Sequence, residues 1–334
     1  MTQKIKINYT YKTISKPWGG ANTFLKYLYE ELSSKELFDL RFYQQNYEIK
    51  NEIIFMNQLS KGPGNNSIVL TKNEINFIKS NSGKLVVRAV NLNCNSYNLF
   101  IRPFSEGKKN DKLSIYLLNL ADHVIFQSKY QMELFRKNGY IGNNYNVIHN
   151  GSPFHCKLTS ERIENNIKLL QDNTTIHISS SSFSTRANKR HDLIAKISKL
   201  KSIKITHFGS WPEKLDPASV ELRGIVSHEV LYKEIAKSNY FLHTASNDPC
   251  PNSVIEALSL GIPVIYNAAE GSSAEIVRNN GIALNLKNLE ETRNKAFKEY
   301  SAIKKELKKN KEEYSIKEAA SKYASVFHLL QNQI

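Results

Sequence analysis

Short apolar runs and amphipathic stretches alternate along the chain. Ile5 to Tyr9 places apolar residues at alternate positions and predicts a strand. Residues 15–34, SKPWGGANTFLKYLYEELSS, predict a Pro-Trp-Gly-Gly loop opening a helix with Phe24, Leu25, Leu28 and Leu32 on one face. Further strands are expected over residues 53–56, 85–89, 123–127 and 146–149, with helices over 113–120 and 130–138. The polar, weakly patterned stretch 152–173 reads as a linker. Strands expected at 175–179, 203–209, 240–244 and 263–266 then interleave with helices expected over 191–200, 229–237 and 252–260. The Lys-rich stretch 293–311 reads as a solvated helix, and an amphipathic helix at about residues 315–332 closes the chain.

Strands separated by helices imply parallel sheets with right-handed crossovers. The expected organisation is α/β: a doubly wound domain over 1–151, the linker 152–173, a second doubly wound domain over 174–312, and a closing segment 313–334. Ligands of such sheets sit at the carboxyl ends of the strands, here expected in a cleft between the domains.

Charge narrows the ligand class. The 334 residues carry 46 Lys+Arg against 31 Asp+Glu, a formal net charge of +15. The excess is spread, with 20 basic against 11 acidic residues in 1–150 and 26 against 20 in 151–334. An evenly basic chain attracts anions such as phosphorylated small molecules or an anionic membrane surface. It has no basic stripe interleaved with aromatics, so nucleic acid is not an expected partner. Cys94, Cys156 and Cys250 lie far apart, which argues against a disulfide framework and a Cys-based zinc site. No apolar run approaches the ~18 residues that span a bilayer, and the N-terminus lacks a signal-peptide core. A cytoplasmic location is expected.

The most informative stretch is SNDPCPNSVIEALSLGIPVI, residues 246–265. Asp248 ends a strand-like segment, a Pro-Asn-Ser turn opens a helix, and Glu256 follows about a turn inside it. Asn252 or Ser253 can cap that helix, whose backbone N–H groups form an anion site suited to a diphosphate. Glu256 can accept two hydrogen bonds from vicinal hydroxyls, as in a ribose, and Asp248 can grip a second polyol. The bland alternative makes Asp248 a turn residue and Glu256 a charge favoured by the helix dipole.

This stretch resembles the donor-binding motif of retaining glycosyltransferases of family 4, which have the GT-B fold of two Rossmann-like domains. The family pattern is Glu, seven residues, Glu, a small-residue helix, Gly-x-Pro-Val and a Gly-rich turn. Glu256, Ala257, Gly261, Pro263, Val264 and the Glu270-Gly271 turn match it, while Asp248 stands in place of the first Glu. Residues 122–130, 146–154, 205–212 and 223–246 are similar to other family segments.

The resemblance implies a transfer of a hexose or hexose derivative from a UDP- or GDP-linked donor to a hydroxyl of a glycan or lipid-linked acceptor, with retention and without a metal or other cofactor. It places Asp248 at the sugar, and Lys189 and Arg186 at the diphosphate, where charge develops on the departing group. Arg190 stands where the family has Gly. The donor would further touch Glu256, the helix start Pro251, Asn252, Ser253 and Val254, and the Gly19-Gly20 loop. Arg88, Asn91 and Asn93 become candidates for acceptor contact; no general base is evident. On this reading Asp248→Ala leaves affinity for the nucleotide alone nearly unchanged. Acceptors of related enzymes are often lipid-linked, so peripheral association with the cytoplasmic face of an anionic membrane is expected. The alternatives are a GT-B nucleotide-sugar epimerase and a basic nucleic-acid-binding protein. His123, His149, His207 and His243, beside strands and without acidic partners in sequence, read as packed histidines rather than ligands.

Overall fold

A computed structural model describes residues 4–15, 19–44, 50–58, 67–93, 104–154, 164, 175–269 and 271–334. Most of the expected linker, together with Cys94, Cys156 and Glu270, lies outside the described residues. Two compact units emerge, one from Met1–Gly151 with Ile316–Ile334, the other from Ser152–Ser315.

The first unit holds strands β1 (Ile5–Tyr9), β2 (Phe38–Phe42), β3 (Ile53–Met56), β4 (Lys84–Arg88), β5 (His123–Phe126) and β6 (Tyr145–Val147). They form one parallel sheet in the order β2-β1-β3-β4-β5-β6. Its helices are α1 (Gly20–Ser33), α2 (Lys72–Ser80), α3 (Phe104–Leu120), α4 (Lys129–Lys137) and, from the end of the chain, α10 (Ile316–Gln331). Strand β3 is buried along its whole length, as a central strand covered on both faces must be. Ile53 and Phe55 face a core with Phe24, Leu28, Tyr323 and Phe327 of α1 and α10, while Ile54 and Met56 face the opposite core with Ile75 and Ile78 of α2. The Phe55 ring sits 5.8 Å from Tyr323 and 5.6 Å from Phe327, which fastens the terminal helix to this sheet.

The second unit repeats the plan with β7 (Ile176–Ser182), β8 (Ile203–Gly209), β9 (Val220–Leu222), β10 (Tyr240–His243), β11 (Val264–Tyr266) and β12 (Gly281–Ala283). The order is β12-β11-β10-β7-β8-β9, again all parallel. Helices α5 (His191–Ile197), α6 (His228–Ile235), α7 (Asn252–Ser259), α8 (Ser273–Val277) and α9 (Leu289–Asn310) cover it. The chain builds outward from β7 to β9, then returns to the centre and builds the other way from β10. Its topological switch point lies between β7 and β10.

Two expectations change. The Lys-rich segment is helical but not solvated all round: Thr292, Ala296, Tyr300, Ile303, Lys304 and Leu307 bury one face, and the buried Lys304 Nζ donates to the Gly261 carbonyl at 2.7 Å. Helix α3 begins at Phe104, well before Leu113, because its first turns carry few apolar residues for a periodicity to reveal. Among the described residues no helix is long and apolar enough to cross a membrane.

Candidate functional site

The loops leaving β7 and β10 meet at the switch point of the second unit. After β7 the chain makes a 3-10 turn over Ala187–Lys189, and Arg190 takes a left-handed conformation with φ 54° before α5 starts. After β10 the chain runs through Thr244 and Ser246 to Asp248, with Asn247 also left-handed at φ 59°. The loops are stitched together by one backbone and one side-chain bond. Ser246 N–H donates to the Asn188 carbonyl at 2.9 Å, and Thr244 Oγ1 donates to the Lys189 carbonyl at 2.8 Å. This fixes Lys189 opposite Asp248, and its Nζ lies 3.1 Å from Oδ2.

Asp248 is held from several sides. Its Oδ1 accepts the Cys250 N–H at 3.2 Å, and its carbonyl accepts the N–H and hydroxyl of Ser272 at 3.0 and 3.1 Å. Gly271 runs alongside with φ 136°, where a Cβ would come within 3.3 Å of the Asp248 backbone, so the turn needs a glycine there. Burial works to raise the Asp248 carboxyl, but Lys189, His243 and the Cys250 N–H outweigh it and hold it below the ordinary carboxylate value. His243, buried at the end of β10, is itself pushed down to about 4 by burial, with Asp248 opposing that shift and Lys189 adding to it.

Helix α7 begins at Asn252, two residues past Cys250, with Pro251 as its N-cap and no side-chain cap bond. This corrects the expectation that Asn252 or Ser253 caps the helix: both lie inside its first turn, where Pro251 supplies extended backbone but no side-chain acceptor. Val254, next along, is fully buried in the core. Glu256 follows one turn in, and burial pushes its carboxyl up to about 7, opposed by Tyr232. An acid kept in surroundings that disfavour its charge is a mark of a functional position. Arg186 is exposed on the β7 loop, with its backbone N–H on Ser184 Oγ at 3.2 Å. Arg190 is differently engaged: its Nε and Nη2 grip Asp192 at 2.9 and 3.0 Å, and its left-handed backbone accounts for a position that glycine suits.

No protein-family model matches the sequence, and no curated protein matches it at a significant level. Solved structures do. The Anabaena protein HepE, solved in complex with UDP-glucose, is similar at a TM-score of 0.63 and 14% identity, over 97% of this chain and 99% of that one. Sucrose-phosphate synthase from Thermosynechococcus elongatus gives 0.65 and 13%, over 99% and 100%. WaaG, a glycosyltransferase involved in lipopolysaccharide biosynthesis, gives 0.60 and 13%, over 97% and 99%. The chain has the GT-B fold.

Each unit is thus one Rossmann-like half of a GT-B chain, and the Lys189–Asp248 pair sits at the strand ends of the second half. In the first half, the structure gives Arg88 another place than acceptor contact. It is 1% exposed, and its guanidinium donates to Asn57 Oδ1 at 2.8 Å, Gln127 Oε1 at 2.5 Å and Asn150 Oδ1 at 2.9 Å, with the Phe24 ring 5.0 Å away. This ties together the carboxyl ends of β3, β4, β5 and β6. Asn93 is also engaged, its N–H and Nδ2 on Asp111 Oδ1 at 2.7 and 3.0 Å, while Asn91 is half-buried at the end of β4. Gly19 precedes α1 with φ 110° and ψ 169°, a conformation essentially restricted to glycine. Gly20 opens the helix. Asn22 closes the preceding loop, with both amide atoms on the backbone of Ile14 at 2.9 Å.

Sequence reasoning missed Asn188, Thr244, Ser246 and Ser272, which hold the Lys189–Asp248 pair in place. Only the position of Thr244 and Ser246 before Asp248 hinted at them. It also missed His191 and Trp211. Their rings, with that of His207, form a triangle of edge contacts at 5.1–5.3 Å beside the β7 loop, and Ser180 Oγ bonds His207 Nδ1 at 2.9 Å.

Proposed function

We propose that this chain is a retaining glycosyltransferase of the family 4 type, moving a hexose or hexose derivative from a UDP- or GDP-linked donor to a hydroxyl of a glycan or lipid-linked acceptor. The observation that carries the reading is the 3.1 Å approach of Lys189 to Asp248 at the switch point, directly before an N-terminus of α7 that has no side-chain cap. The fold likeness to HepE, solved with UDP-glucose, supports it.

In this reading the α7 N-terminus and the cations Lys189 and Arg186 hold the diphosphate, with no divalent metal required. Glu256 accepts the ribose hydroxyls and Asp248 contacts the sugar. The bond from the anomeric carbon to the diphosphate breaks, the acceptor oxygen bonds to the same face, and the acceptor proton passes to the departing phosphate oxygen. Lys189 and Arg186 offset the charge that grows on that group.

Peripheral contact with an anionic membrane belongs to the same proposal. Helix α3 exposes Lys109, Lys112, Leu113 and Tyr116, and Ile141 stands 77% exposed beside Asn119 at the end of that helix. Such a basic surface with apolar tips suits a layer of anionic headgroups.

A thermal-shift series with UDP-glucose, GDP-mannose, UDP and GDP tests the donor. A ligand that binds only the folded chain stabilises it by about 2.7 kcal/mol at a hundred times its dissociation constant. Proton NMR of the product formed on a hydroxyl acceptor then reads the anomeric configuration. No shift with any of the four compounds, or an inverted product, overturns the corresponding part.

A further inference from the structure

The two groups assigned to opposite ends of the donor's reacting bond hold each other in the free protein. Lys189 Nζ, which should meet the diphosphate, is bonded to Asp248 Oδ2, which should meet the sugar. The pair is not a loose surface contact. Lys189 and Asp248 keep 27% and 18% of their side-chain surface, and the Asn188–Ser246 and Thr244–Lys189 bonds fix the two loops that carry them. A diphosphate arriving at Lys189 therefore has to displace a carboxylate or bind beside one. Both cost affinity, because a unit negative charge within a few ångströms of an anion is strongly repulsive where water is partly excluded.

An intact donor and a bare nucleotide differ in how they meet this obstacle. The sugar of the donor brings hydroxyl donors that can replace the Lys189 ammonium on Asp248, so the lysine is released while the carboxylate stays hydrogen-bonded. A nucleoside diphosphate has no such hydroxyls at that end. If it draws Lys189 away, Asp248 is left charged and without its cation in a partly buried place, where the remaining neighbours are the Cys250 N–H and His243.

We propose that Asp248 is a specificity residue that discriminates against the bare nucleoside diphosphate by holding Lys189 until a sugar takes its place. The inference rests on the donor reading above. It makes the product bind more weakly than the substrate and so favours release after transfer. It also changes the expectation from sequence: loss of the Asp248 charge does not leave nucleotide affinity unchanged but tightens it.

The test is calorimetry on the full chain and on Asp248→Asn, with UDP and UDP-glucose as one pair of probes and GDP and GDP-mannose as the other, at one fixed ionic strength. Asparagine keeps a carbonyl for the Cys250 N–H, and an unchanged melting temperature verifies that the fold is intact. The expected result is that Asp248→Asn binds the nucleoside diphosphate about tenfold tighter than the parent. The sugar nucleotide should gain less or lose affinity, so the parent's preference for it collapses. In a Lys189→Met background the same change should have at most about a third of that effect on a logarithmic scale, because there is no lysine left to hold. If the parent binds a nucleoside diphosphate and Asp248→Asn binds it equally or more weakly, the inference is wrong and the donor reading stands. An undiminished gain in the Lys189→Met background overturns it as well, leaving simple repulsion. If the parent binds none of the four probes, the donor reading itself fails.

Discussion

Glu256 offers the sharpest quantitative consequence of the structure, because its burial conflicts with its charge. Its carboxyl is raised from 4.5 to about 7 in the folded chain, chiefly by burial, with Tyr232 opposing. Between those two values the folded state holds a proton that the unfolded chain has released. Stability tied to this group is therefore complete below about pH 4.5 and is lost as pH rises through 7. At roughly 1.36 kcal/mol per unit the full difference is ~3 kcal/mol, and residual exposure of this half-buried side chain trims it to ~1–3 kcal/mol. Glu256→Gln keeps the shape and a side-chain carbonyl but cannot ionise. The variant should melt about 2–12 °C higher than the parent at pH 8, at roughly 2–4 °C per kcal/mol for a unit of this size. The gain should shrink to about a quarter by pH 5. Differential scanning calorimetry of both proteins across this range is the assay. An unchanged or lower melting temperature at pH 8, or a gain of equal size at both pH values, would refute the reasoning. A gain would mean that the chain keeps a destabilising acid in the first turns of α7, as functional sites commonly do.

Arg88→Met should cost ~2–5 kcal/mol in chemical denaturation, since the buried Oδ1 atoms of Asn57 and Asn150 lose the Arg88 donor and Gln127 Oε1 keeps only Asn150 Nδ2; Arg88→Lys should recover little, because a single ammonium cannot span the three amides, and a variant as stable as the parent would dismiss the cage. Paired Lys109→Glu and Lys112→Glu should reduce flotation with anionic vesicles at low salt, at about 1 kcal/mol per lysine near the surface. Equal flotation of variant and parent would remove α3 from the membrane proposal.

The central strands were legible because a parallel sheet covered on both faces needs continuous apolar runs. Strand β3 at Ile53–Met56 and strand β10, which starts at Tyr240, fall where the pattern places them, and both are buried along their whole length. The unforeseen β2, β9 and β12 are edge or near-edge strands with mixed or very short patterns, such as Phe38–Phe42, whose middle residues are only half-buried. Helix α2 carries a capping box, Thr71 with Glu74, that a reading centred on periodicity passes over. The candidate site was legible as far as Asp248 and Lys189, whose residue types are chemical and which the structure brings to 3.1 Å. The side-chain partners were not. Arg88 looks the same in sequence whether it faces a ligand or three amides, and Arg190 differs from its neighbours only through a left-handed backbone and Asp192 at close range. Tertiary partners decide those roles, and they come from distant parts of the chain.

The central claim is that the switch point between β7 and β10 holds a nucleotide sugar, with Glu256 on its ribose. The direct measurement is a calorimetric titration of the full chain and of Glu256→Ala with UDP-glucose and with GDP-mannose. The account predicts saturable binding of one of them to the parent and a loss of roughly tenfold to a hundredfold in Glu256→Ala, the worth of a charge-assisted hydrogen bond of about 1.5–3 kcal/mol. Binding of neither compound to the parent, or equal affinity in parent and variant, would contradict it.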